Sequence, residues 1–328
     1  MGSHKYIWDI EDEPQATEQV VEEVVVEQLP PPKPKEPFRF SQTLIKTITN
    51  KGHQEKDWCP RFVNEIYVAK NFEFMPTYPM LLGQKFEQLA IGSSADGKPT
   101  TLPRHKRTGL KRVSEERAEI QAMRFKQLAQ NHDVDVVEGY NTQIPIYFNV
   151  GNLPFRAIFD IFPTSFCDPD TGEIEPCAID LKYTGDVNNT FGEYCYGEHE
   201  HLDYLQADTY LYGLSVMKKE DNLHLIDLWG EETFDRILSM AKDYTFIYWV
   251  FGNREPINEQ FRVIRRKLWD KDLRARDLLQ RIRLAVGLLS DAKNDGWQPR
   301  PFSSLCKNCP VNVLHGGYCD KAYKVLNA

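Results

Sequence analysis

Two aspartates and a lysine sit where charge is costly. Asp160 interrupts the apolar run Phe155-Arg156-Ala157-Ile158-Phe159-Asp160-Ile161, and Asp180 and Lys182 flank Leu181 in Cys177-Ala178-Ile179-Asp180-Leu181-Lys182. Both runs are short and rich in branched or aromatic residues, which predicts strands. A strand's period of two then puts Asp180 and Lys182 on one face. Charges on buried strands are tolerated when they are paired or bound to metal, so the spacing leaves two readings open. One is a structural ion pair. The other is phosphodiester hydrolysis assisted by Mg2+ or Mn2+. Paired carboxylates would bind the ion, which polarises a phosphate and activates a water, while Lys182 orients that water or stabilises developing charge. Oxygen ligands favour Mg2+ or Mn2+ over zinc.

The flanking pattern supplies elements to hold these residues. Cys59-Pro60-Arg61 leads into a predicted helix containing Phe62, Ile66 and Tyr67, and further helices are predicted over Met80–Ile91 and Ser114–Asn131. Ile144-Pro145-Ile146-Tyr147-Phe148 and the two charged runs make a three-strand meander, with Asp168-Pro169-Asp170-Thr171-Gly172 as turn chemistry between the last two. Helical spacing resumes at Leu202 with Leu205, Gln206, Tyr210 and Gly213, and Phe246–Phe251 reads as another strand. Residues 258–293 read as one long basic amphipathic helix, and 93–113 as a polar loop with six basic residues, either a solvated surface or a contact to a nucleic-acid backbone.

Composition bounds the rest. The chain has 328 residues and a formal net charge of −8. Residues 1–37 hold three Lys against nine Asp or Glu, a net of −6, which leaves −2 for the remainder. A near-neutral body with local basic segments is compatible with DNA, because phosphate binding follows charge distribution rather than its total. The acidic, proline-rich stretch 1–37 reads as a mobile arm able to dock a protein partner or mask a DNA groove, ahead of one domain over 38–328. No apolar run approaches the ~18–20 residues of a membrane span, so a cytoplasmic protein with no membrane contact is expected. Seven cysteines without a secretion signal argue against a disulfide framework and turn attention to ligation. Cys306, Cys309 and Cys319 form a local triplet. Cys167, Cys177 and Cys195 read as small packing residues, and His199 and His201 as loop or surface positions.

In this arrangement Asp160 followed by Asp180-Leu181-Lys182 resembles the PD-(D/E)XK nuclease signature. Gln206-Ala207-Asp208-Thr209-Tyr210 resembles the Gln-x-x-x-Tyr motif of its RecB-like branch, and Gly83-Gln84-Lys85-Phe86-Glu87 stands where that branch carries Gly-x-x-x-His or Gly-x-x-x-Glu. A spacing of four puts Gln206 and Tyr210 on one helical face; by residue type alone a core tyrosine beside a capping-type glutamine, and an exposed helical Glu87, also fit.

The resemblance implies an α/β fold with a central mixed sheet flanked by helices, a restriction-endonuclease-like core. It implies metal ligation by Glu87, Asp160, Asp180 and the Leu181 carbonyl, and catalysis with Lys182, Gln206 and Tyr210. The sequence is similar to a cluster-bearing subset that includes CRISPR-associated iron-sulfur exonucleases and AddB-type nuclease domains. That similarity implies a helical lobe built from Cys59 and the 300–323 segment, with Cys59, Cys306, Cys309 and Cys319 holding a [4Fe-4S] cluster, or zinc as the alternative. The ten-residue step from Cys309 to Cys319 is longer than that subset's spacing. The implied function is a Mg2+- or Mn2+-dependent DNA exonuclease acting on single strands or duplex ends, in recombination, repair or phage DNA processing. CRISPR spacer processing and a non-catalytic DNA-binding iron-sulfur module are the alternatives. Arg61, Tyr183, Tyr194 and Tyr196 are candidate DNA contacts, the tyrosines by stacking on bases.

Overall fold

The computed structural model describes residues 37–50, 52–92, 99–189, 194, 202–267, 271–300, 306 and 308–320. Expectations that fall on 1–36, Tyr196, His199 and His201 lie outside the described residues. The helical segments in chain order are α1 (Gln42–Ile48), α2 (Pro60–Val63), α3 (Tyr78–Ile91), α4 (Val113–Asn131), α5 (Leu205–Val216), α6 (Leu223–Trp229), α7 (Glu231–Ser239) and α8 (Lys271–Asn294). Among the described residues one sheet forms from β1 (Thr142–Val150), β2 (Leu153–Cys167), β3 (Ile174–Thr184), β4 (Thr245–Gly252) and β5 (Phe261–Lys267), in that spatial order.

The first three strands are the expected antiparallel meander; β4 joins β3 in parallel and β5 returns antiparallel, so the sheet is mixed. A parallel neighbour requires a crossover, and α5, α6 and α7 provide it between β3 and β4. Both faces of the internal strand β4 are covered, and all of its residues are buried, as its unbroken apolar sequence requires. One core lies under α1, α5, α6, α7 and α8, and the other under α3 and α4. Asp168 closes the β2–β3 turn, its Oδ1 accepting from the backbone of Asp170 and Thr171. No helix among the described residues is long and apolar enough to cross a membrane.

The long basic helix expected over 258–293 is corrected by the structure. Phe261–Lys267 is an edge strand, and helix begins only at Lys271. The reason is the alternation Phe-Arg-Val-Ile-Arg-Arg: Val263 packs against the second core while Ile264 belongs to the first, which a strand allows and a helix does not. Several of its arginines are also committed internally. Arg262 donates to the Tyr194 carbonyl at 2.6 Å, and Arg266 grips Asp208 with two 3.0 Å bonds. On α8, Arg281 is buried; it donates to both oxygens of Asp203 (2.7 and 2.8 Å) and to the hydroxyl and carbonyl of Thr49 (2.8 and 3.0 Å). That side chain ties the end of α1, the approach to α5 and α8 into one unit.

On the opposite face the Gln121 side-chain amide, on α4, donates to the carbonyls of Gly252, Ile257 and Gln260, and Gln260 Oε1 accepts from the Val187 backbone at 3.0 Å. The chain leaving β3 and the β4–β5 connection are therefore fixed to the same helix.

Gly213 decides how closely α5 approaches the sheet. A Cβ there would come within 2.6 Å of the Phe148 ring, which is fully buried and stacked on Phe155. Helix propensity alone would make Gly213→Ala stabilising by about 1 kcal/mol, but overpacking a buried ring costs about 1–3 kcal/mol. We expect Gly213→Ala to lower the urea midpoint; an unchanged or higher midpoint would show that Phe148 gives way freely.

Candidate active site

The alternation of β2 breaks at Asp160. Phe155, Ala157 and Phe159 pack in the first core, yet Ile161 packs in the second. Side chains two apart ordinarily share a face, so the strand rolls over between them. The β2–β3 pairing runs only as far as Ile161 opposite Ile179, and the next residue is Asp160. Its Oδ2 accepts from the Leu181 backbone N–H at 2.7 Å, closing the wedge where the strands part.

Asp180 is buried, and its two oxygens have different partners. Gln206 Nε2 donates to Oδ1 at 2.5 Å, and Lys182 Nζ lies 2.5 Å from Oδ2. Lys182 also sits 6.0 Å from the centre of the Tyr248 ring. Tyr248 is the register partner of Asp180 on β4, and its hydroxyl accepts from the Ala207 backbone at 3.2 Å, which fixes the first turn of α5 beside Gln206. Tyr210, one turn further on, packs edge-on against Phe159 and Phe246, and its hydroxyl is hydrogen-bonded to the Ile158 backbone.

Electrostatics follow from this packing. Burial, then the neighbouring Asp180, pushes the Asp160 carboxyl up to about 7 against the pull of Lys182. Burial raises Asp180 as well, against Lys182 and Gln206. Burial works against the charge of Lys182, but Asp180, Tyr194 and Asp160 outweigh it and hold the ammonium protonated. Tyr210 is driven upward by burial and by both aspartates, and so stays a neutral phenol.

Lys182 and Gln206 reach from this site into a cleft of about 890 Å³, also walled by Lys46 of α1, Lys56 to Trp58, Gly83 and Glu87 of α3, Leu181, Tyr183 and Tyr194; the two aspartates lie behind that wall. A Cβ on Gly83 would meet nothing within 4 Å, so this glycine keeps the wall low rather than avoiding a clash. Tyr183 and Tyr194 thus stand in the cleft. Arg61 does not line it; its guanidinium lies 5.6 Å from the Tyr318 ring. Glu87 is joined to the aspartates indirectly, through Gln143, whose Nε2 donates to Glu87 Oε1 at 2.5 Å and to Asp160 Oδ1 at 3.2 Å. Sequence reasoning missed Gln143, Lys46 and Tyr248. The Ser41 cap and the Leu44, Ile45, Ile48 spacing of α1 were legible signals for the element carrying Lys46; Tyr248 becomes visible only with the β3–β4 register.

The donor set suits a hard divalent cation: two adjacent carboxylates whose joint ionisation burial opposes, with a third carboxylate tied to them. Among the described residues, no three or more His, Cys, Asp or Glu side chains converge closely enough to hold a metal ion as they stand. The same fact bears on the cysteines. Cys59, Cys306, Cys309 and Cys319 are all buried. Burial raises the Cys309 thiol to about 11, and Cys59 and Cys306 add to it; Cys59, Cys309 and Cys319 pack in the same core. Tyr318 donates to buried Glu65 at 2.8 Å, and Arg300 donates to Glu55 at 2.6 Å, which draws these segments together.

No protein-family model matches the chain, and no curated protein matches it. Among solved structures it is similar to the crystal structure of "Putative exonuclease" from Eubacterium rectale, with 12% identity, coverage of 87% of either chain and a TM-score of 0.52. At that identity the likeness establishes the shared fold, an α/β mixed sheet flanked by helices.

The raised Asp160 carboxyl makes a stability prediction. The folded chain holds this proton up to about pH 7, whereas the unfolded carboxyl releases it near 3.9. Between those values the folded state binds more protons, so its stability falls as pH rises, by up to about 1.4 kcal/mol per unit. Thermal melts without divalent metal are expected to show Asp160→Asn more stable than wild type at pH 8 and equal to it near pH 4. Parallel pH profiles for the two proteins would contradict this.

Proposed function

We propose that this chain is a divalent-metal-dependent nuclease that hydrolyses phosphodiester bonds in DNA. The observation that carries the reading is the Asp160–Asp180 pair, two carboxylates that oppose each other's ionisation, with Asp180 joined to Lys182 and Gln206 in the wall of an open cleft. A structural ion pair would leave Asp180 matched to Lys182 alone; here a second carboxylate, Asp160, is brought near it and raised by it. The shared fold with a protein named an exonuclease supports the same reading.

Asp160, Asp180, the Leu181 carbonyl and Glu87 would hold Mg2+ or Mn2+, which when bound neutralises the pair and supplies Lewis acidity at a phosphate. The remaining work falls to this chain's own groups. Lys182 keeps its proton and presents positive charge where negative charge grows on the phosphate oxygens. Gln206 locks one Asp180 oxygen, leaving the orientation of the carboxylate fixed by two partners. Tyr210 braces α5 against β2 as a neutral phenol. Tyr183 and Tyr194 offer aromatic faces in the cleft to unpaired bases, which favours single strands or frayed duplex ends and exonucleolytic attack, as in recombination, repair or phage DNA processing. The acidic segment 1–37 would dock a protein partner or shield the cleft until DNA displaces it.

The four cysteines we assign to a [4Fe-4S] cluster, with zinc as the competing occupant. Their thiol chemistry and their origin on both sides of the nuclease core support this, since a ligated site would cross-link segments roughly 250 residues apart.

Two measurements test these assignments. With end-labelled single- and double-stranded DNA and Mn2+, Asp180→Ala should abolish cleavage and Lys182→Ala should slow it about 100- to 1,000-fold; wild-type cleavage by Asp180→Ala overturns the nuclease site. Anaerobically purified protein should contain iron and acid-labile sulfide that Cys306→Ala loses. Zinc in their place would reassign the lobe, and neither metal would remove the cluster.

A further inference from the structure

Gln143, outside the recognised motifs, combines a positive φ with an unpartnered buried amide oxygen. It is the second residue of β1, on the Asp160 side of the sheet's pairing, between the register pairs Thr142–Ile161 and Ile144–Phe159. Its φ is +56°, in the left-handed region that non-glycine residues rarely occupy and that tends to be retained at functional sites. Its Nε2 donates to Glu87 Oε1 at 2.5 Å and to Asp160 Oδ1 at 3.2 Å. Both partners are carboxylate oxygens, so the amide must present nitrogen to them; turning it over would set oxygen against two acids. The amide oxygen is then left buried without a hydrogen-bond partner. A strained backbone and an unmatched acceptor both oppose folding, and both follow from bringing this one amide nitrogen to two acids.

We propose that Gln143 is a positioning residue that straps Glu87 of α3 to Asp160 of β2, holding a third carboxylate one hydrogen-bonded step from the Asp160–Asp180 pair, within reach of an ion bound there. The inference rests on the metal-dependent reading of the site. Glu87 approaches from the second core's helix, while Asp180 belongs to the face covered by α5, so the two acids are carried by opposite layers of the fold. Gln143 faces the roll-over of β2, where both layers are reachable.

Gln143→Asn provides a test that spares the fold, because asparagine tolerates the left-handed region better than most residues while its amide is one methylene too short to reach Glu87. Mn2+ binding is measured calorimetrically without DNA for wild type, Gln143→Asn, Glu87→Gln and the double variant, each checked by thermal melt. Gln143→Asn should weaken Mn2+ binding about 10- to 100-fold. The double variant should be no weaker than Glu87→Gln alone, because one residue acts through the other. Wild-type affinity in a folded Gln143→Asn, or effects that simply add, would overturn the strap. If a melt shows Gln143→Asn unfolded, Gln143→Gly, which accepts the same φ, takes its place with the same criteria. Weakened Mn2+ binding in the variant, with no DNA cleavage by wild type, would leave the strap standing and remove the nuclease. Absence of Mn2+ binding by wild type would overturn both.

Discussion

The hydrogen bond from the Leu181 backbone to Asp160 governs this fold. It forms where β2 stops pairing with β3, and it fills with a side-chain oxygen the place that a strand carbonyl would have taken. Because β2 rolls over at that point, a residue flanked by Phe159 in one core and Ile161 in the other serves neither core and turns to its neighbour's backbone instead. A carboxylate satisfies the exposed N–H and at the same time is brought against Asp180. Removing the charge would relieve the repulsion, and removing the wedge would relieve the burial; the sequence retains both.

Much of the remaining architecture keeps that wedge open and correctly furnished. Tyr210 and Phe246 brace Phe159 from the α5 side, Tyr248 holds the first turn of α5, and Gly213 lets the helix lie close enough for Gln206 to reach Asp180. On the other face Phe86 stacks on Tyr183 at 4.9 Å, so the helix bearing Glu87 is registered against the strand bearing Lys182. Gln121 and Gln260 fix the exit of that strand. The polar side chains at these points are amides and phenols rather than further charges, which limits the cost of organising two acids in an apolar setting.

The parts of this arrangement that sequence displays are those repeated by local periodicity. Short runs rich in branched and aromatic residues marked β1, β2, β3 and β4, and the Asp-Leu-Lys triplet placed its own charges on one face. Helical spacing located α3, α4 and α5 to within a few residues. What escaped depends on the layering of elements distant in sequence. Phe261–Lys267 was hidden because its arginines suit a basic helix equally well until the two cores are known to lie on either side of it. Arg262, Arg266 and Arg281 resembled a surface charge track, yet they answer Tyr194, Asp208 and Asp203 inside the molecule. Gln143 carries no motif at all; only its place beside Asp160 singles it out.

The side chain of Arg281 also sets an order of events. Thr49, at the end of α1, is held by a guanidinium that lies 232 positions later in the chain. Lys46, on the same helix, forms a wall of the cleft. During synthesis the strands bearing Asp160, Asp180 and Lys182 are therefore available to pair long before that wall can be secured, because contacts of such separation close late. A chain still emerging past β4 would hold its acids in place with the cleft unfinished, and the groove would reach its final width only when α8 docks.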